Sequence, residues 1–160
     1  MKIINSSFEY KLYESLNQLS IDDKSLVELA VSQLENAYAP YSNFQVGAAV
    51  RLINGDTFVG CNQENASYPL CMCGERVALY NAGANQPKTA VESLAITIKN
   101  LNQYIDKPVS PCGACRQVIS EFEFRHNHKI RILLKSDGDS IYEISSIADI
   151  LPLSFNGSFL

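Results

Sequence analysis

No run of about 18 apolar residues occurs in the 160-residue chain, so no helix able to cross a bilayer is encoded. The opening residues, MKIINSSFEY, lack the long apolar stretch of a secretion leader. We therefore expect a soluble, cytoplasmic protein. An excess of positive charge is missing too. Lys and Arg number 13 against 17 Asp and Glu, for a net charge of −4. The densest basic run is RHNHKIR, near residues 125–131. A nucleic-acid face needs clustered cations, so no nucleic-acid partner is expected and a small-molecule partner fits better. Repeats, low-complexity tracts and linkers are also absent, and residues 1–160 read as one domain. The only histidines, His126 and His128, fall in a polar loop before a strand, where no metal role is expected.

Apolar residues make up 46% of the chain, enough to bury a core. Five cysteines are present, at 61, 71, 73, 112 and 115. The count is odd, and four of them cluster as C-x-C and C-x-x-C. In a reducing compartment that pattern points to metal or redox chemistry rather than a disulfide scaffold.

Phe8, Tyr10 and Leu12 alternate on one side of a short strand within residues 6–13. From Asp22 to about Tyr38, Leu26, Leu29, Ala30, Leu34 and Ala37 recur at helical spacing. Ser20 or Asp22 is placed to cap that helix, and Pro40 to stop it. FQVGAAVRLI (44–53) and TFVGCN (57–62) read as strands joined by the turn signal NGD. Cys61 then falls in the second strand, as a core residue. A loop, QENASYPLCM, leads to a helix starting near Cys73. VESLAITI (91–98) reads as a buried strand. SPCGACRQVISEF reads as a loop feeding a helix with Pro111 in its first turn. KIRILLKS (129–136) and IYEIS follow as strands, and SIADILP as a short closing helix. A hairpin followed by alternating helices and strands implies an α/β fold, a mixed sheet covered by helices.

The chemistry concentrates in CMCGER (71–76) and PCGAC (111–115). Together they resemble the Cys-x-Glu … Pro-Cys-x-x-Cys pattern of zinc nucleoside and nucleobase deaminases. A catalytic zinc takes three protein ligands and keeps one position open. Cys73, Cys112 and Cys115 supply three thiolates, each at a predicted helix N-terminus, where the helix dipole favours the thiolate. Three thiolates on Zn²⁺ leave a net negative site, and Arg76 is placed to offset that charge. Glu75, beside the open position, would take a proton from water and deliver protons to the ring nitrogen and the leaving ammonia. By spacing alone two other readings stand. With Cys71 as a fourth ligand the site would be a closed structural zinc. Cys112 and Cys115 could also form a thiol–disulfide pair.

The likeness extends further. AYAPYSNFQVGAAV, GCNQENASYPL, CMCGERVALYNA and PCGACRQVISEF together look like cytidine deaminase of the small homotetrameric, three-cysteine zinc type, in matching order across residues 37 to 123. The resemblance implies a three-layer α/β/α fold with a mixed sheet of about five strands and one zinc ion per subunit. It implies hydrolytic deamination of cytidine and 2′-deoxycytidine in pyrimidine salvage. Residue by residue, Cys73, Cys112 and Cys115 match the zinc ligands, Glu75 the proton shuttle and Arg76 the charge-compensating arginine. Asn62 and Glu64 match residues that hold the ribose hydroxyls; their spacing of two puts them on one face of a strand. Phe44 matches an aromatic that packs against the pyrimidine. Ala66 and Tyr68 match a segment that reaches a neighbouring subunit's site, and Phe155, in ILPLSF, an aromatic supplied by another subunit. Gly74 stands where the family usually has alanine. Residues 1–20 extend beyond the family core, with no role implied.

Overall fold

The computed structural model describes all 160 residues. Six strands form one sheet: β1 (Tyr10–Tyr13), β2 (Phe44–Leu52), β3 (Thr57–Cys61), β4 (Val91–Asn100), β5 (Arg131–Lys135) and β6 (Ile141–Ile144). Their spatial order is β1-β6-β5-β4-β2-β3. Only β4 and β5 run parallel. A parallel pair needs a crossover connection, and the helix α3 (Gly113–His126) provides it.

Period-two alternation sorts the strand side chains onto two helical layers. Ala48, Val50, Leu94, Ile96, Ile132 and Leu134 pack with the helix α2 (Gly74–Asn85) and α3 in one core. Their neighbours Ala49, Ala95 and Leu133 pack with Leu26, Val27 and Ala30 of α1 (Ile21–Ser32) in the other. The result is the three-layer α/β/α architecture. No helix is long and apolar enough to cross a membrane.

Several elements differ from expectation. The sheet has six strands rather than the five or so that the resemblance implied; the strand read within residues 6–13 forms at Tyr10–Tyr13 and joins its edge. β1 pairs antiparallel with β6, with Lys11 opposite Glu143 and Leu12 opposite Tyr142. The alternation in β1 works in the opposite sense to a buried apolar stripe. Phe8, Tyr10 and Leu12 are exposed, whereas Lys11 and Tyr13 turn to the buried Glu143, which accepts from Lys11 Nζ at 2.9 Å and from the Tyr13 hydroxyl at 2.7 Å. The first helix is capped by Ser20, whose hydroxyl accepts from Asp23 N. It gives way after Ser32 to a 3₁₀ turn, Gln33–Asn36, and so ends before Tyr38. The closing segment forms only a 3₁₀ turn, Ile147–Asp149. Pro111 precedes the N-cap of α3 instead of occupying its first turn. Cys61 is half-exposed rather than core.

Candidate active site

Two helix N-termini bring the cysteines together. Cys73 is the N-cap of α2 and Cys112 the N-cap of α3, and neither side chain caps its helix. Both sulfurs are therefore free for another partner. Cys115, in the first turn of α3, is buried. The sulfurs of Cys73, Cys112 and Cys115 all lie within 4.8 Å of one another, and those of Cys112 and Cys115 are 3.4 Å apart. Sulfurs bound tetrahedrally to zinc at 2.3 Å would be separated by about 3.8 Å, so this spacing suits the metal. Cys71 stands outside the cluster: its sulfur accepts from Asn65 N at 3.2 Å. The closed four-cysteine arrangement is not formed.

The cluster shares one proton-bearing network. Hydrogen bonding with Cys115 lowers the Cys73 thiol to about 5 against the effect of burial, with the Arg76 guanidinium adding to the shift. The same contact with Cys73, together with burial, pushes Cys115 up. A metal bound to both sulfurs takes them as thiolates and displaces the proton they would otherwise share.

Glu75, the second residue of α2, is 4% exposed, and its Oε2 has no hydrogen-bond partner. Burial pushes its carboxyl above the usual range. A buried oxygen without a partner calls for one from outside the chain. The three sulfurs form a donor set that fits a catalytic zinc with an open position, and the orphaned oxygen supplies a group for whatever binds beside them. Arg76 Nη2 donates to the Cys71 carbonyl at 3.3 Å and to the Cys73 sulfur at 3.6 Å. Gly74 is packed more tightly than a residue interchangeable with alanine. A Cβ there would meet the Val46 carbonyl at 2.8 Å, so β2 lies closer to the start of α2 than a methyl group permits.

Cys73, Glu75 and Cys112 line a cavity of about 410 Å³, within the usual size of small-molecule sites. Phe44, half-buried at the start of β2, forms part of its wall. Asn62 and Glu64 line it as well. They lie beyond the end of β3, in an extended segment held by bridges from Gln63 to Tyr38 and to Met72, rather than within a strand. The Asn62 side chain already serves the fold: Oδ1 accepts from Val46 N at 2.8 Å, and Nδ2 donates to the Phe44 carbonyl at 2.8 Å. The Glu64 carboxylate accepts from Tyr41 N at 2.8 Å and Ser42 N at 3.3 Å, and from the Ser42 hydroxyl. Burial is the largest single influence and raises its pKa, but these donors together outweigh it and hold the carboxyl below the usual range.

Ala66, Tyr68 and Phe155 do not line this cavity. Tyr68 is 67% exposed and packs edge-on against Tyr41, and Phe155 is 58% exposed and stacks on Phe159. His126 accepts from Arg125 Nε and belongs to no metal cluster. The wall that sequence reasoning missed is formed by Met72, Val109, Ser110 and Pro111. Pro111 carried a local signal, being adjacent to Cys112. Val109 and Ser110 carried none, because only the tertiary fold brings them to the cavity.

Comparison with known proteins agrees with this geometry. The family model described as the cytidine and deoxycytidylate deaminase zinc-binding region matches residues 20–128. A cytidine deaminase of Sporosarcina psychrophila is 36% identical over 136 residues, covering 85% of this chain and 93% of that protein. One from Halalkalibacterium halodurans is 43% identical over 101 residues, covering 63% of this chain and 72% of that protein. The crystal structure of cytidine deaminase from Burkholderia pseudomallei superposes with a TM-score of 0.70 at 40% identity, covering 82% of this chain and 97% of that one. The match spans the α1 helix, the β2–β3 hairpin and both cysteine motifs, and the chain belongs to the cytidine and deoxycytidylate deaminase zinc-binding family.

Proposed function

We propose that the protein hydrolyses cytidine and 2′-deoxycytidine to uridine and 2′-deoxyuridine, releasing ammonia, as a cytoplasmic step of pyrimidine salvage. One observation carries this reading. Glu75 is buried, has an unpartnered carboxylate oxygen, and shares a nucleoside-sized cavity with the sulfurs of Cys73 and Cys112.

Cys73, Cys112 and Cys115 would hold one zinc ion per subunit, which would supply Lewis acidity and lower the pKa of a water in its open position. The chain's residues do the rest. Glu75, with its pKa raised by burial, takes one proton from water and places it on N3 of the pyrimidine; it then takes the second, from the hydroxyl added at C4, and passes it to the departing amino group as the C4–N bond breaks. General acid–base work of this kind contributes about 10²–10⁴-fold. Arg76 donates to the Cys73 sulfur, drawing charge off the thiolate and keeping the metal electrophilic. Phe44 packs against the pyrimidine ring. Glu64, fixed by Tyr41 and Ser42, binds a ribose hydroxyl. Asn62 retains one amide hydrogen and one lone pair beyond its two backbone bonds, enough to bind a second hydroxyl.

Ala66, Tyr68 and Phe155 act at a neighbouring subunit's site in a homotetramer. Their exposure and their absence from the chain's own cavity support that role. Residues 1–160 act as one domain.

The test is to mix the purified protein with cytidine, 2′-deoxycytidine or deoxycytidylate and follow the ultraviolet change from cytosine to uracil. The two nucleosides are converted and the nucleotide is not. A zinc-loaded protein inert towards both nucleosides contradicts the reading.

A further inference from the structure

The three cysteines are not equally fixed. Cys115 is buried in the body of α3 and Cys73 is half-buried, but Cys112 is exposed and ends the 109–112 loop that walls the cavity. Packing alone therefore does not fix Cys112. On the helix side its carbonyl accepts from Arg116 N at 2.9 Å; on the cavity side its position depends on what holds the backbone just before it.

That hold is a single side chain. Arg116, one turn into α3, folds back so that Nε donates to the Pro111 carbonyl at 2.8 Å. The same guanidinium reaches the other way, with Nη1 donating to the Ile150 carbonyl at 2.8 Å. One planar group thus joins the residue before Cys112 to the C-terminal segment. Two further α3 side chains moor that segment. Glu123 accepts from the Ser146 hydroxyl at 2.8 Å and from Ile147 N at 3.1 Å. Gln117 Nε2 donates to the Phe155 carbonyl at 2.8 Å. The segment is therefore a fixed abutment, and Arg116 is its one side-chain link to the loop of Cys112. No hydrogen bond joins Arg116 to a sulfur, so its task differs from that of Arg76.

We propose that Arg116 is a positioning residue: by bridging the Pro111 and Ile150 carbonyls it braces the Cys112 loop against the C-terminal segment and sets how firmly zinc is retained. The inference rests on the functional reading above, in which Cys112 is a ligand. Groups that orient a metal ligand, without touching the metal, commonly change metal affinity by about 10–100-fold.

The decisive variant is Arg116→Lys. It keeps the positive charge but replaces a planar fork by one ammonium, which cannot span two carbonyls in this geometry. Zinc release from the loaded protein to a chromophoric chelator is timed at 25 °C. Circular dichroism melting of the same samples reports stability. The proposal expects Arg116→Lys to release zinc about 10-fold faster or more, with its melt still well above the assay temperature. Arg116→Gln, neutral and able to make only part of the bridge, releases zinc at least as fast, and it serves if the lysine variant does not fold. Wild-type release in Arg116→Lys overturns the proposal, because charge without the bridge then suffices. Wild-type release in Arg116→Gln overturns it equally. A wild-type protein that binds no zinc overturns the functional reading and this inference together, whereas unaltered release from a zinc-bound protein overturns only the inference.

Discussion

Arg76 Nη2 lies 3.6 Å from the Cys73 sulfur, and Arg76 Nε is buried with no partner at all. A guanidinium is held in place with spare donors beside the thiolate whose pKa is lowered to about 5. Removing it leaves negative charge on the cluster uncompensated. Arg76→Ala is expected to lower kcat by about 10-fold or more, with zinc held less tightly. Steady-state kinetics with zinc quantified in the same samples checks this. Unchanged kcat at full zinc occupancy contradicts the role.

Asn62 ties the start of β2 to the loop that follows β3. Asn62→Ala leaves Val46 N and the Phe44 carbonyl without their side-chain partner, at a cost of about 1–3 kcal/mol. Because Phe44 moves with that backbone, KM for cytidine rises as well. Asn62→Asp keeps the acceptor for Val46 N but sets a carboxylate oxygen against the Phe44 carbonyl, so it is expected to be no better than alanine. Urea unfolding and KM measured on both variants test the clamp.

A charge cluster beneath α1 makes stability pH-dependent. Asp23 accepts from Arg51 Nη2 at 2.9 Å and from Arg131 Nη2 at 2.7 Å. Burial raises the Asp23 pKa, but the hydrogen bonds from Arg131 and Arg51 outweigh it and hold the group at about 2. The folded value lies below the ordinary carboxylate value, so the stabilisation is full above about pH 4 and is lost as the pH falls through about 2. Asp23→Asn is expected to destabilise by about 3 kcal/mol at pH 7, leaving two guanidinium groups without their carboxylate. Its deficit relative to wild type shrinks below pH 4. A deficit that stays constant down to pH 2 contradicts the account.

The segment before α1 is tested at Tyr13. Glu143 is 3% exposed. Burial raises its pKa, and the Tyr13 and Lys11 contacts more than reverse this. Tyr13→Phe removes a hydrogen bond to a buried charge and is expected to cost about 1.5–3 kcal/mol. Lys11→Met costs less, because the lysine is largely solvent-exposed. Thermal melts of the two variants give the order.

Local signals made much of this molecule legible from its sequence. The NGD turn, the helical periodicity of residues 26–34 and the cysteine–glutamate spacing each act over a few residues. They fixed the hairpin, α1 and the chemical centre closely. Long-range contacts did not show. β1 was readable as a strand, but not its partner: Lys11 and Tyr13 satisfy a carboxylate some 130 residues away. Nothing nearby in sequence reveals that the Asn62 amide also clamps the start of β2. Val109 and Ser110 have no local chemical signature. Arg116 reads as an ordinary helix cation until its two carbonyl partners, one of them at Ile150, are in view.

The central claim is that Glu75 carries protons beside a zinc held by Cys73, Cys112 and Cys115. Glu75→Gln tests it most directly, because the amide preserves shape and cannot serve as the base. Cytidine turnover and zinc content would be measured together on wild type and variant. The account predicts full zinc in both proteins and a loss of kcat of at least about 10²-fold in the variant. A zinc-loaded Glu75→Gln protein that turns over cytidine at the wild-type rate contradicts it.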